Sequence, residues 1–239
     1  MLRNYFLIAF RNFRKNRLIS FINITGLSLG IGACLLIGHY LQFELSYDRF
    51  HSNADQLYRI TWFSDNPQTR TPHPMAQAMV RDFPEVESAV SLTPLWKEGL
   101  TRRTFSFKHP EKGIRYTEKN VLAVDSTFFD VFDFKTLLGN TETPLPDRNS
   151  LILSEAYAKK YFGKENPIGK SLEVQIGQDR RAFTVSAVFE DFPQNSSLQL
   201  EMAFSSLNNA DIYGENVLTS WFNVSPETYV LLNEDNKIT

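Results

Sequence analysis

Residues 163–171 contain the residue types that bind phosphate in nucleotide-binding loops. They read Gly-Lys-Glu-Asn-Pro-Ile-Gly-Lys-Ser, and a glycine loop followed by lysine and serine can hold nucleotide phosphates and magnesium. That motif needs four residues between its glycines, whereas five residues separate Gly163 from Gly169. A phosphate loop also follows a strand and opens a helix, and the order predicted here is the reverse. The pattern therefore favours a helix end followed by a Pro-Ile-Gly turn.

Histidine and acidic residues are the other side chains that could perform catalysis or hold a metal. The histidines are scattered along the chain, at His39, His51, His73 and His109. None forms a zinc-binding pair with another, and no external cysteine joins them. Two carboxylate pairs, Asp130 with Asp133 and Glu190 with Asp191, could serve as acid and base but fit solvated turns better. Since no nucleophile is positioned, we predict no enzyme, no cofactor and no metal site.

An uncharged run over residues 18–43 determines the membrane organisation. Its 26 residues contain no Asp, Glu, Lys or Arg. At about 1.5 Å per residue a helix of this length reaches ~39 Å, which exceeds the ~30 Å hydrocarbon core of a bilayer. A cleaved signal peptide has a shorter apolar core and a small-residue cleavage site, and cleavage before Cys34, as in a lipoprotein, would leave a strongly apolar N-terminus. A retained transmembrane helix is therefore favoured.

Basic residues before this run predict its orientation. Residues 1–17 contain no acid, and the basic residues nearest the run are Arg11, Arg14, Lys15 and Arg17. The positive-inside rule then places the N-terminus in the cytoplasm and the chain after Glu44 outside it. Apolar residues recur at helical spacing within residues 1–17, which predicts a cytoplasmic amphipathic helix on the inner leaflet.

Small residues recur every four positions within the predicted span. They are Gly26, Gly30, Cys34 and Gly38. Such a row lets a second membrane helix approach closely, which predicts a packing face. Glycine is also common in membrane helices that have no such partner, and this alternative stays open.

The remaining sequence is that of an acidic, water-soluble domain. The whole chain has a formal charge of −2, with 25 basic and 27 acidic residues; five of the basic residues precede residue 18, which leaves 20 basic against 27 acidic residues afterwards. This balance disfavours nucleic acid as a partner, because phosphate binding needs clustered Lys and Arg. About 195 residues follow the span, enough for one large domain or two small ones.

Strand and helix patterns alternate in this external part. Residues 57–63, 75–83 and 86–92 predict a β-α-β unit. Ser154 can cap a helix over residues 155–162, which Gly163 would end. Further strands are predicted over residues 105–107, 114–116, 120–124, 150–153, 172–176, 183–189, 198–204 and 228–232. The predicted fold class is α+β.

Several segments, in this order, resemble the N-terminal part of MacB/FtsX-type ABC transporter permeases. Residues 9–17 and 23–30 are similar to the start of such permeases, and residues 44–51 with 55–60 are similar to their exit from the membrane into the first external strand. Further similarities are found over residues 82–87, 128–132, 153–155, 162–163 and 167–170, the last being the most specific. Ser197 departs from the family, which carries a histidine after the turn at residues 193–196.

The resemblance implies one N-terminal transmembrane helix followed by a two-lobed, extracytoplasmic MacB-like periplasmic core domain with β-α-β units over residues 44–239. One lobe would be discontinuous, with residues 57–95 and 198–239, and residues 96–197 would form an inserted lobe. Members of the family continue through further membrane helices and a cytoplasmic coupling segment. The sequence is thus expected to be the N-terminal portion of a permease, truncated before those helices.

The resemblance also implies a function in mechanotransmission. A cytoplasmic ABC ATPase would drive movement of the membrane helix, and the external domain would change conformation for export or an envelope process. Further implied partners are a second permease copy or half and a periplasmic adaptor or outer-membrane protein, with the chain in the cell inner membrane. The alternative is a single-pass, membrane-anchored sensor or binding module that works without an ATPase.

Overall fold

A computed structural model describes residues 2–62, 68–94, 96–97, 101–102, 105–110, 113–176 and 179–236. The chain divides into two compact units, Met1–Tyr47 and Asp48–Thr239.

Two helices make up the first unit. Helix α1 covers Leu2–Lys15 and helix α2 covers Arg17–Glu44. Asn16 separates them, although its backbone N–H donates to the Asn12 carbonyl at 3.0 Å. The bounds of α2 agree with the predicted span over residues 18–43 to within one residue at each end. No residue of α2 is buried.

The second unit combines short helices with many strands. Its α-helices are α3 (Met75–Asp82), α4 (Phe128–Val131), α5 (Glu155–Phe162) and α6 (Asn209–Tyr213). Its strands are β1 (Leu57–Arg59), β2 (Arg70–Pro72), β3 (Val86–Pro94), β4 (Trp96–Lys97), β5 (Thr101–Arg102), β6 (Phe105–Lys108), β7 (Arg115–Glu118), β8 (Val121–Val124), β9 (Thr136–Gly139), β10 (Ser150–Ser154), β11 (Ser171–Ile176), β12 (Asp179–Phe189), β13 (Met202–Ser205) and β14 (Val224–Leu232). Single 3-10 turns lie at Ala54–Gln56, Ser206–Asn208, Glu215–Val217 and Glu234–Asn236.

One mixed sheet holds most of these strands. Its order is β1-β14-β3-β8-β13-β10-β12-β11-β6-β7, with β2 added to β14 and β9 added to β12. The pairs β8–β13 and β10–β12 are parallel, and the other neighbours along this order are antiparallel. Strands β4 and β5 form a separate hairpin. The architecture is the predicted α+β class.

The predicted β-α-β unit is present in a split form. Strand β14 lies antiparallel between β1 and β3, so β1 and β3 run in the same direction with α3 as their crossover. Helix α3 buries Ala76 and Ala78. Ala76 and the partly buried Met79, three residues apart and so on one helix face, pack against Val86, Ala89 and Val230 of the sheet. Helix α3 ends at Asp82 with Phe83 as its C-cap residue, and the next residue, Pro84, cannot continue a helix.

Helix α5 and then strand β11 connect β10 to the parallel strand β12. Ser154 accepts a hydrogen bond from the Tyr157 N–H, and Gly163 ends the helix with a φ of +67°. Gly169 has a φ of +78°, and its N–H donates to the Val185 carbonyl at 2.8 Å. Residues 163–170 therefore follow a helix and lead into β11, which confirms the helix end and turn predicted in place of a phosphate loop.

Among the described residues, three apolar clusters along the sheet form the core. The largest includes Phe107, Phe162, Phe183 and Phe204. The second packs α4 against β3, β8, β10 and β13, and the smallest lies under α3. Strand β13, expected in the discontinuous lobe, lies between β8 and β10 of the expected inserted lobe, so the sheet runs across that boundary. The division into two lobes stays a prediction.

Several strand bounds differ from those predicted. The strand at residues 57–63 ends at Arg59, while residue 63 lies outside the described residues. The strand predicted at 198–204 begins only at Met202, and the last strand begins at Val224 rather than at residue 228. Strands β2 and β9 were not predicted, because each is short and pairs with a distant partner.

Candidate membrane-coupling site

Helix α2 is long and apolar enough to cross a membrane. It has 28 residues, and its most apolar stretch has a mean hydropathy of 1.9 with no part of it buried. It is the one helix with these properties among the residues that the structure describes.

The predicted small-residue row lies on an uncovered face of α2. Residues four apart fall on the same side of a helix, so Gly26, Gly30, Cys34 and Gly38 share one face. Apart from the adjoining backbone of α2 itself, a Cβ atom added at any of these three glycines would meet no atom of the described residues within 4 Å. Cys34 is a free, exposed cysteine. The geometry leaves room for a second helix here, and the packing itself stays a prediction.

The basic residues proposed to orient the chain lie at the junction of the two N-terminal helices. Arg11, Arg14 and Lys15 belong to α1, and Arg17 is the first residue of α2. All four are exposed. The Arg17 Nε donates to the Arg14 carbonyl at 3.3 Å, so Arg17 satisfies one carbonyl at the end of α1. The orientation across the membrane stays a prediction.

Residues 48–56, which we call the exit strap, begin four residues after α2 and lead directly into β1. Asp48 anchors the first residue of the strap. Its Oδ1 accepts hydrogen bonds from the Ser197 N–H at 2.8 Å and from the Ser196 hydroxyl at 3.4 Å. Its own N–H donates to the Asn195 carbonyl at 3.0 Å. With a φ of +56°, Asp48 adopts the left-handed conformation that Asp tolerates better than most side chains.

A second anchor holds the middle of the strap. The Ser52 N–H donates to Asp133 Oδ2 at 3.3 Å, and the Asn53 side-chain amide donates to the Val131 carbonyl at 3.2 Å. Val131 ends helix α4 and Asp133 follows it. The strap is therefore bonded at one end to the turn at residues 193–197 and in its middle to the end of α4.

His51 fills an aromatic socket between these anchors. It is 5% exposed, and its ring centroid lies 4.1 Å from that of Phe50, 5.0 Å from Phe134 and 5.6 Å from Phe132. Burial lowers the pKa of His51, while the Asp48 and Asp133 carboxylates act in the opposite direction. Its Nδ1 is buried and has no hydrogen-bond partner among the described residues. The neutral ring is therefore the form that suits this socket.

The socket belongs to a larger aromatic cluster that connects the strap to the sheet. The ring centroid of Phe134 lies 3.9 Å from that of Phe192, which follows β12. The ring centroid of Phe132 lies 5.1 Å from that of Tyr229 in β14. A cleft of about 300 Å³ lies beside the strap, lined in part by His51, Arg59, Phe132 and Tyr229. Displacement of the strap would therefore disturb packing around β12 and β14.

Sequence reasoning identified the strap as the exit from the membrane but not its partners. Ser52 and Asp133 are 81 positions apart, and Asp48 and Ser197 are 149 apart, so no local pattern could pair them. Ser197 contributes its backbone N–H to Asp48, and a histidine at this position could donate the same bond. The departure from the family at residue 197 thus leaves this contact intact.

One carboxylate of each pair considered for acid–base chemistry holds a backbone N–H group. Asp133 binds the strap, and Asp191 Oδ1 accepts from the Ala156 N–H in the first turn of α5 at 2.9 Å. An acid at a helix N-terminus is stabilised by the helix dipole. Within the described residues, no three His, Cys, Asp or Glu side chains are grouped so as to hold a metal ion.

Comparison with solved structures finds chains similar to this one, and the one that superposes with a TM-score of 0.64 shows the same fold. A domain of a protein described as a permease from Porphyromonas gingivalis superposes with a TM-score of 0.64 at 24% identity, over 78% of this chain and 79% of that one. The periplasmic region of MacB from Actinobacillus actinomycetemcomitans gives 0.49 at 17% identity, over 75% and 74%. The extracellular domain of the noncanonic ABC-type transporter YknZ from Gram-positive bacteria gives 0.46 at 19% identity, over 75% and 83%. No match was found among curated protein sequences.

An N-terminal apolar helix that leads into this sheet-rich domain defines the chain as part of an ABC transporter permease. The chain belongs to the MacB-like periplasmic core domain family, whose family model matches residues 20–238. The resemblance to the N-terminal part of MacB/FtsX-type permeases is therefore confirmed. This family is a domain of transporters rather than a family of enzymes.

Proposed function

We propose that this chain is the N-terminal portion of a mechanotransmission-type permease subunit. A cytoplasmic ABC ATPase would hydrolyse ATP and move α2, and the external domain would change conformation in response for export or an envelope process. The observation that carries this proposal is the exit strap, which continues the chain from α2 and is anchored by Asp48 and Asp133. Substrate need not pass through α2 in this mechanism.

The strap supports the proposal because it leads directly into β1. β1 is the edge strand of the sheet, and its three residues pair with Leu231, Val230 and Tyr229 of β14. Tyr229 also contacts Phe132 of the aromatic cluster. A displacement of the strap would reach the sheet through β1 and the aromatic cluster through His51.

We further propose that the N-terminus is cytoplasmic and the main domain lies outside the inner membrane. The four basic residues nearest the apolar run support this orientation. A reporter fused after Thr239 should be active only outside the cytoplasm, and reversal of the charges at Arg11, Arg14, Lys15 and Arg17 should weaken that preference. A reporter active in the cytoplasm in the unaltered chain would refute the orientation.

Crosslinking the strap tests the coupling function. In a Cys34→Ser background of the full-length product, Ser52→Cys and Asp133→Cys can be joined by a short thiol-specific crosslinker, because both positions are exposed and hydrogen bonded. We expect the crosslink to lower ATP hydrolysis by the assembled transporter several-fold. The reason is that a strap fixed to α4 cannot undock when α2 moves.

A matched control separates this effect from general damage. Asn140→Cys with Thr143→Cys places the same crosslink within one exposed turn, where the two side chains are hydrogen bonded at 2.7 Å. This pair should leave ATP hydrolysis unchanged. Equal rates in both crosslinked proteins, with the ATPase still bound, would refute a coupling role for the strap.

A membrane-anchored sensor or binding module is the second candidate function. An open groove of about 730 Å³ in the external domain favours it, because that volume suits a small ligand. Purification of the full-length product from its native host separates the two functions. Recovery of an ATPase with nucleotide-binding motifs supports the permease, whereas its absence supports the sensor.

A further inference from the structure

An open groove lies at the carboxyl ends of the parallel strands β8 and β13. In this pair Val124 is opposite Ser205, so the residues that follow, Asp125 and Ser206, emerge side by side. The groove has a volume of about 730 Å³. Ligands commonly bind at the carboxyl ends of parallel strands, and this volume is that of a small-molecule site.

The walls of the groove are largely apolar. Helix α3 contributes Ala76 and Val80, and the lining also includes Leu145, Pro146 and Leu207. Val80 is 44% exposed and Leu207 is 57% exposed, so apolar surface faces the open space. Burial of this surface would favour a ligand with an apolar framework.

Asp125 places a mostly buried carboxylate in this apolar groove. Its Oδ2 accepts from the Ser91 N–H at 2.9 Å, and the Ser206 side chain also donates to it. Both donors are neutral. Among the described residues, no Lys or Arg side chain forms an ion pair with Asp125. Burial raises the pKa of this carboxyl, since these two hydrogen bonds offset only part of the lost hydration.

The other charged residues of the groove already have partners. Arg81 binds the Asp82 carboxylate through Nε at 2.7 Å and through an Nη at 2.8 Å. Asp147 accepts from the Asn149 N–H at 2.7 Å and from the Ser150 hydroxyl at 3.0 Å. Arg81 is ion-paired, and Asp147 is exposed, so water hydrates its charge. The Asp125 carboxylate is mostly buried and has only neutral donors, so it is the carboxylate whose charge an incoming cation would balance.

We propose that this groove binds the ammonium group of an organic amine that carries an apolar framework. The ammonium would pair with the Asp125 carboxylate, and the framework would lie against Val80, Leu145 and Leu207. A divalent metal ion fits less well, because calcium and magnesium need several oxygen ligands and, within the described residues, no three His, Cys, Asp or Glu side chains are grouped here to hold one. The inference does not depend on the coupling role of the strap.

Fluorine NMR on the full chain in zwitterionic nanodiscs tests the proposal. The probe is 4-(4-fluorophenyl)butylammonium, and its neutral match is 4-(4-fluorophenyl)butanol, with empty nanodiscs as the blank. We expect saturable binding of the amine that falls at least tenfold in Asp125→Asn and in Val80→Arg. Glu190→Gln removes an exposed carboxylate elsewhere and should bind like the unaltered chain. The alcohol should bind more weakly than the amine and equally to the unaltered chain and Asp125→Asn.

Two further measurements, thermal unfolding and the pH dependence of binding, exclude other reasons for a loss of amine binding. Thermal unfolding checks that the Asp125→Asn variant is folded. Val80→Arg keeps the carboxylate but fills the groove and adds a cation there that competes with the amine. Binding should also weaken as the pH falls and Asp125 becomes protonated. Equal binding of the amine to the unaltered chain and Asp125→Asn, equal binding of amine and alcohol, or no saturable binding would each overturn the proposal. Displacement of the amine by calcium at equal concentration would indicate a metal site instead.

Discussion

Substitution of Asp48 is expected to release the whole exit strap rather than a single hydrogen bond. The Asp48 carboxylate accepts the Ser197 N–H at 2.8 Å, and such a charge-assisted bond at a half-buried site contributes about 1.5 kcal/mol. The left-handed backbone at φ +56° adds about 1 kcal/mol of strain for alanine. Asp48→Ala should therefore favour the undocked strap by about 2.5 kcal/mol.

Two companion variants separate the carboxylate from the backbone. Asp48→Gly loses the acceptor but tolerates the left-handed conformation, which predicts a cost of about 1.5 kcal/mol. Asp48→Asn keeps an acceptor oxygen and tolerates the backbone, which predicts a cost below about 1 kcal/mol. The expected order of undocking is Ala, then Gly, then Asn.

Hydrogen exchange measures this undocking through a group that the substitutions do not touch. The Ser52 N–H is bound to Asp133, so the peptide over residues 49–56 reports release of the strap. Since about 1.4 kcal/mol corresponds to tenfold, its exchange should rise about 60-fold in Asp48→Ala and about tenfold in Asp48→Gly. Peptides from β10 should be unchanged. Faster exchange at Ser197 with unchanged exchange at residues 49–56 would show that Asp48 stabilises only the turn at residues 193–197 and not the strap.

Three other predictions concern stability and assembly. Lys160→Met should lower the free energy of unfolding by roughly 3 kcal/mol, because it leaves the Glu118 carboxylate, which is 4% exposed, without its cation. Denaturant titrations measure this loss, and adding Glu118→Gln should restore most of it. Burial lowers the pKa of His73 to about 4 in the folded chain, so on acidification the unfolded chain binds a proton at this histidine before the folded chain does. The free energy of unfolding should therefore fall between pH 6.5 and 4. His73→Gln should remove up to roughly 3 kcal/mol of this loss, and an unchanged pH profile of stability would contradict the prediction. Gly30→Leu should disrupt assembly of α2 with another helix while leaving membrane insertion intact, and unchanged helix crosslinking would show the small-residue row to be incidental.

Local signals in the sequence predicted the elements that depend on local chemistry. The absence of charge over residues 18–43 predicted α2, and Ser154 with Gly163 predicted both ends of α5. The turn between Gly163 and Gly169 was recognised because glycine at positive φ is a property of single residues.

Features that depend on distant parts of the chain could not be predicted in this way. The sequence predicted a last strand over residues 228–232, yet β14 covers Val224–Leu232 and lies between β1 and β3, with Val230 2% exposed. Asp125 reads as an ordinary loop residue in the sequence. Its burial arises only because β8 and β13 end side by side, across about 80 residues of intervening chain.

The exit strap and the sheet beside it are held by different kinds of contact, and this difference suits a coupling element. Release of β14 would break backbone hydrogen bonds to both β1 and β3 along most of its nine residues. The strap depends instead on a few bonds at half-buried or exposed positions, each contributing about 1 kcal/mol, and on the His51 ring. Its opening free energy should therefore lie well below that of the sheet. A force transmitted from α2 would then undock the strap and pull on the three residues of β1 while the rest of the domain stays folded.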